Sequence, residues 1–287
     1  MIGNRLLLFV LCLVCPGLAL GQTKGAPVAP KPAPSATGGG GFRVCADPNN
    51  MPSSNERQEG FENKIATLLA KDFGTTPTYI WWGQRRGFIR NTMNATLAEG
   101  RCDVVIGVPE GYDLVRTTTP YYRSTYVFVY SKKRAPITSL DDPMLKKLKI
   151  GVHLIGDDYE NPPPVHELGK RHIVENVVGF NTFYTDDNPP SAIVDAVTAG
   201  KIDVAVVWGP VGAYYAARQK VPLAVTPIPS KPGDLPFAFN MAMGVKKGND
   251  ALHARLEALL QQRRPEIEQI LKDFNVPLLE RKVTTKR

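Results

Sequence analysis

The sequence predicts an α/β protein of two lobes, each a mostly parallel sheet flanked by helices. Three observations carry this. Between residues 42 and 108 short apolar runs alternate with amphipathic stretches, and a strand, helix, strand, helix, strand rhythm lays parallel strands beneath covering helices. Gly100-Arg101-Cys102-Asp103-Val104 recurs as Gly200-Lys201-Ile202-Asp203-Val204, each after a helical stretch and each opening an apolar strand, so one βαβ unit is built twice. Between the two lies the β-rich segment 126–130, suited to cross from one lobe to the other, and residues 237–245 can carry the chain back.

The elements follow in order. Arg5, the apolar run 6–20 and the small residues Ala19 and Gly21 around Leu20 have the make-up of a secretory signal peptide, residues 1–21. Residues 22–41, rich in Pro, Ala, Lys and Gly, have too little apolar surface to fold and read as a flexible linker. Residues 42–46 form a first strand, halted by the turn Asp47-Pro48-Asn49-Asn50. Gly60-Phe61 opens a helix with Phe61, Ile65, Leu68 and Leu69 on one face, ended by Gly74. Residues 78–82 and 103–108 are the next strands, with a helix over 88–99 between them. Leu252, Leu256, Leu259 and Leu260, broken at Pro265 and resumed at Ile267, Ile270, Leu271 and Phe274, close the first lobe. The predicted lobes are 42–132 with 238–287, and 133–237. Two crossings leave a cleft between them, where ligands prefer to sit.

Composition removes several function classes. The 287 residues are 43% hydrophobic and 22% charged, which excludes wholesale disorder, collagen and coiled coil. The one apolar run near spanning length is the leader, so no stable membrane insertion is predicted after its cleavage. The net charge of +8 suggests an acidic partner or surface. It is spread along the chain without a dense tract or an aromatic-basic comb, so nucleic acid is not a predicted partner.

Cys12 and Cys15 leave with the leader. The remaining pair, Cys45 and Cys102, points to a disulfide in an exported chain, provided that neighbouring strands bring the two into register. Asp141-Asp142, Asp157-Asp158 and Asp186-Asp187 lack the alternating carboxylates of a calcium loop, and His153, His166, His172 and His253 lack metal spacing. No metal and no cofactor is predicted. The chain has no Gly-x-Ser-x-Gly, His-Glu-x-x-His, phosphate-binding loop or dinucleotide fingerprint, so no catalytic residue is nominated and an enzyme is not predicted.

The ordered set Phe42-Arg43-Val44, Gly60-Phe61-Glu62, Gly100 to Val104, Thr119-Pro120-Tyr121-Tyr122, Lys149-Ile150-Gly151-Val152 and Gly200 to Val204 resembles the periplasmic solute-binding proteins of the amino-acid-receptor type. More narrowly, Trp81-Trp82-Gly83-Gln84-Arg85-Arg86-Gly87-Phe88, Cys102-Asp103-Val104-Val105-Ile106-Gly107-Val108-Pro109 and Pro120-Tyr121-Tyr122-Arg123-Ser124-Thr125-Tyr126 are similar to the MxaJ/XoxJ type of accessory protein encoded beside PQQ-dependent methanol dehydrogenases. The resemblance covers residues 42–275. It implies a type II two-lobed periplasmic binding fold, a location in the periplasm, and a methanol dehydrogenase as protein partner, whose activation, maturation or assembly the chain would aid.

Departures from the amino-acid receptors refine this expectation. The Arg that forks onto a ligand carboxylate falls near Gly111, and Arg116 lies too close to the Pro-Tyr motif to replace it. Asp157 and Asp158 stand where backbone N–H groups would hold an anion, and Trp208 stands where an acidic residue would receive the ligand ammonium. The residues implied for the cleft are therefore Trp81, Trp82, Arg85, Arg86, Tyr121, Tyr122, Asp157 and Trp208, an apolar lining with two cations at one rim. Such a groove suits a segment of another protein. Adjacent strand residues point to opposite faces, so one of Trp81 and Trp82 packs inward. A small-molecule ligand, either a solute delivered to an ABC-type permease or PQQ or an alcohol-oxidation product carried by the chain, is the competing expectation.

Overall fold

The computed structural model describes residues 41–96, 101–154 and 161–280; the predicted leader and nearly all of the linker lie outside them. β1 (Phe42–Ala46) runs parallel between β2 (Pro77–Trp81) and β3 (Val104–Pro109). Side chains alternate across this sheet. Phe42, Val44, Ala46, Val104 and Ile106 face a core shared with Phe61, Ile65 and Leu69 of α1 (Phe61–Asp72). Cys45 and Val105 face a smaller cluster with Phe88, Ile89 and Met93. α2 (Phe88–Asn91) is one turn, shorter than the predicted helix over 88–99. Thr92 leaves helical backbone, and its hydroxyl donates back to the Phe88 carbonyl at 2.7 Å, a bond that competes with helix propagation.

β5 (Tyr122–Ser131) joins two sheets. After β4 (Arg116–Thr117), residues 122–125 of β5 pair with 238–241 of β10 (Ala238–Val245). Its residues 126–130 then pair with β8 (Val204–Trp208), and 127–131 with β9 (Leu223–Pro227). β6 (Ile150–Leu154) lies parallel between β8 and β7 (Val177–Asn181). The resulting ladder reads β2-β1-β3-β10-β5-β8-β6-β7. The second sheet is covered on one face by α4 (Ala192–Thr198) and α5 (Gly209–Ala216), through Ile193, Val194, Val197 and Val211. Its other face packs Phe128, Val152 and Val206 on Leu145 and on Leu168 of α3 (Pro163–Lys170). α6 (Asp250–Gln262) and α7 (Arg264–Asp273) return to the first core through Leu252, Leu256, Ile267 and Leu271. Among the described residues no helix is long and apolar enough to cross a membrane.

The sequence echo has a physical meaning. The carboxylate of Asp103 accepts the Arg43 backbone N–H at 3.3 Å, and the Asp103 N–H donates to the Arg43 carbonyl at 2.8 Å. Asp203 does the same to Lys149, at 2.9 and 2.8 Å. A guanidinium completes each clamp, Arg43 on Asp103 at 2.8 Å and Arg134 on Asp203 at 2.6 Å. One device thus fastens the entry of β3 to β1 and of β8 to β6. Beside the first clamp Cys45 and Cys102 form a disulfide, with Cα atoms 5.2 Å apart. Cys102 lies in the turn that enters β3 rather than on the strand, so the bond does not depend on strand register.

Candidate functional site

The carboxyl ends of the parallel strands of the two sheets face one another, the position at which α/β sheets offer crevices. Trp208 ends β8 and directly precedes α5. Its φ of −56° and ψ of 130° turn the chain, and Gly209 then lets α5 approach β5, since a Cβ there would stand 2.4 Å from the Thr125 carbonyl oxygen. The Trp208 ring meets Tyr126 of β5 edge-on at 5.4 Å and Phe239 of β10 at 6.0 Å. All three are half-buried. They put an aromatic floor on the two crossing strands.

One wall comes from the first sheet. Asp47, buried at the end of β1, accepts the N–H groups of Asn49 at 2.8 Å and Gln84 at 2.5 Å, yet burial holds its pKa above the usual carboxylate value. Glu62, in the first turn of α1, is pushed up to about 7 by burial and then by the charge of Asp47. Its carboxylate occupies space that only a glycine at 107 leaves open, since a Cβ there would lie 2.1 Å from Oε1. Tyr121 packs alongside, its hydroxyl donating to the Ile106 carbonyl at 3.0 Å. It also lines a concavity of about 300 Å³ with Pro120, Leu260 and Ile267.

The opposite wall comes from the second sheet. His153, buried at the end of β6, is kept neutral by burial, its pKa lowered to about 4, and its ring lies 6.2 Å from that of Tyr184. Burial raises the Tyr184 hydroxyl, and the neighbouring Tyr215, Asp47 and Tyr126 add to this. The walls touch at the mouth. The Arg85 guanidinium lies 4.6 Å over the Phe183 ring, Gly83 lies beside that ring, and the Tyr215 hydroxyl donates to the Met51 carbonyl at 3.4 Å.

The residues nominated from sequence fall in different places. Trp208 belongs to the aromatic floor, Arg85 to the mouth and Tyr121 to the first wall. Trp81 stacks on Tyr79 at 4.6 Å and packs against the first core, whereas Trp82 is 39% exposed beyond the end of β2. Tyr122 is turned into that core, edge-on to Phe61, with its ring 4.9 Å from that of Tyr121, which packs on the same core. Arg86 is exposed. Asp157 and Asp158 lie outside the described residues. Arg116 is engaged by Asp250 at the start of α6. Sequence reasoning missed Tyr126, Phe239, Tyr184, Asp47 and Glu62. Asp47-Pro48 reads as a turn, Gly-Phe-Glu as a helix start, and Tyr126 as mere strand; no local signal gave their convergence.

The chain is 34% identical over 253 residues to Protein MoxJ of Methylorubrum extorquens, a match spanning 84% of this chain and 82% of that one. The chain belongs to the MoxJ family. A second MoxJ protein, from Paracoccus denitrificans, is 28% identical over 249 residues, 83% of this chain and 89% of that one. Two solved structures extend the MoxJ-family likeness. The periplasmic binding protein XoxJ from Methylobacterium extorquens AM1 is 33% identical, with a TM-score of 0.69 over 84% of this chain and 100% of that one. MxaJ from Methlophaga aminisulfidivorans MPT is 29% identical, with a TM-score of 0.70 over 83% of this chain and 100% of that one. An ancestral cationic amino-acid solute-binding protein, 20% identical with a TM-score of 0.62, shares the type II periplasmic binding fold. No family model matches the chain.

Proposed function

We propose that this MoxJ-family chain is a periplasmic, non-catalytic accessory protein of a PQQ-dependent methanol dehydrogenase. It binds a segment of the enzyme in the cleft between lobes 42–132 with 238–287 and 133–237, and so aids activation, maturation or assembly. The observation that carries the reading is the aromatic floor of Trp208, Tyr126 and Phe239. It offers rigid apolar area on the two strands that join the lobes, the kind of surface on which a partner's side chains anchor. Arg85 at the mouth and Tyr121 on the wall belong to the same proposed site, and the leader supports export. The test is binding of the exported protein to the apo dehydrogenase by calorimetry. Trp208→Ala is expected to weaken association by about thirtyfold or more with the fold intact, as loss of an anchoring tryptophan does. Unchanged affinity overturns the reading.

A second reading rests on Asp47 and Glu62. Two carboxyl groups on one wall would receive an ammonium or guanidinium, as in a receptor that passes a small organic cation to a permease. The same pair opposes PQQ, whose three carboxylates would meet like charge. Saturable thermal stabilisation by arginine or lysine, without the enzyme, would favour this second reading over the first.

A further inference from the structure

Seven of the lysines that are dispersed along the sequence are gathered by the fold on one rim. At the end of the second sheet remote from Trp208, five strand ends lie side by side. Lys220 precedes β9, Lys132 and Lys133 follow β5, Lys201 precedes β8, and Lys146, Lys147 and Lys149 precede β6. The backbone ties these ends together: the Lys132 N–H donates to the Pro222 carbonyl at 3.1 Å, and the Ile150 N–H to the Asn176 carbonyl at 2.9 Å. All seven lysines are exposed, and none makes an ion pair among the described residues. The carboxylates on the rim are Asp203, already held by Arg134 at 2.6 Å, and Glu175; Asp142 at its margin caps the turn before β6 by accepting the Met144 N–H at 2.9 Å. Three aliphatic side chains stand out among the lysines: Met144, Val174 and Val221, 46%, 61% and 43% exposed.

We propose that this rim docks on an anionic lipid surface. It spans about 20 Å, five strands at their usual spacing. Its chemistry separates it from a protein-binding face. Lysine is depleted at protein interfaces, whereas Trp, Tyr and Arg supply their anchors. Lysines interspersed with short aliphatic tips match a bilayer surface, where cations gain attraction from acidic headgroups and the tips reach the acyl boundary. No insertion is involved. β8 runs from this rim to Trp208, about 16 Å away at strand rise, so a docked molecule keeps its aromatic cleft turned from the lipid.

The test is co-sedimentation of the exported protein with vesicles. At low salt it is expected to pellet with phosphatidylglycerol-containing vesicles, to stay in solution with pure phosphatidylcholine, and to be released at about 0.5 M NaCl, where charge attraction is screened within a few ångströms. The triple variant Lys146→Glu, Lys147→Glu, Lys149→Glu is expected to bind at least about tenfold more weakly. Lys64→Glu with Lys71→Glu, exposed on α1 of the other sheet, is expected to bind as the unmodified protein does. An equal loss in that control, equal binding to neutral vesicles, or no binding to either overturns the proposal. So does a triple variant that pellets normally but loses the dehydrogenase, which would assign the rim to an acidic protein.

Discussion

Glu62 is a carboxylic acid placed where ionising is costly. Its side chain has no hydrogen-bond partner among the described residues, and burial first and Asp47 second raise its pKa to about 7. In the unfolded chain the same group ionises near 4.5. The folded state therefore holds a proton that the unfolded state has released, and the stability contributed by this group is full below 4.5 and lost as pH rises through 7. Glu62→Gln removes the titration. The variant is expected to match the unmodified protein at pH 4.5 and to exceed it by about 1–3 kcal/mol at pH 8, measured by urea unfolding. Equal stability at both values would show that the carboxyl is solvated or paired in solution. At this scale the sequence was only partly legible. Adjacent positions do part at Trp81, stacked on Tyr79, and exposed Trp82, but not at Tyr121 and Tyr122: β5 begins only at Tyr122, and both tyrosine rings pack on the first core, 4.9 Å apart. Asp47 and Glu62 meet through the tertiary fold, and no spacing announced them.

Strands and long helices were legible because their apolar pattern is their cause. β1 falls where its residues predict, and β2 and β3 shift by one position at each end. The helix predicted over 88–99 fails beyond Asn91, where Thr92 finds a bond to its own helix instead of extending it. What the pattern could not reveal is how the loop before β10 is held. Arg171, just past α3, donates to Asp141 at 2.6 Å, Glu167 at 2.9 Å and Asp234 at 2.9 Å, and Glu167 also accepts the Leu235 N–H at 3.0 Å. One guanidinium thus pins three separate segments, one of which leads directly into the return crossing. The Glu167 side chain is 1% exposed, and its cationic and N–H partners lower its pKa to about 2. Arg171→Ala would leave Glu167 to Lys170 and Asp141 to Lys231, so the loss is that of charge-assisted hydrogen bonds and not of every partner, about 1.5–3 kcal/mol. The expected result is a fall of that size in unfolding free energy at pH 7 that shrinks on acidification, as the carboxylates protonate in both states. A loss independent of pH would assign the effect to lost packing of the arginine stem.

At the scale of the whole molecule, the two sheets are joined through β5 and β10, and Phe183 bridges them at the far edge of the opening. Its ring is clasped between Gly83 and the Arg85 guanidinium, while remaining 38% exposed. That combination describes a clasp and not a core residue: enough contact to bias the relative angle of the lobes, too little buried area to decide folding. Glycine at 83 is part of the device, because a Cβ there would press on the ring at 3.3 Å. Tyr215 adds a single weak hydrogen bond to Met51 nearby. Two strands alone allow hinge motion, since a few residues in each can absorb the change of angle. Phe183→Ala is therefore expected to leave the unfolding temperature almost unchanged while letting the lobes part. A compact chain of this length has a radius of gyration of about 19 Å, and the value from small-angle scattering of the variant is expected to rise above that of the unmodified protein. If the proposed cleft admits an enzyme segment, association should quicken and dissociation should quicken more, because the bound segment loses the clasp that closes over it. Identical scattering curves would mean that the crossing strands themselves fix the angle and that Phe183 merely rests on the opposite wall.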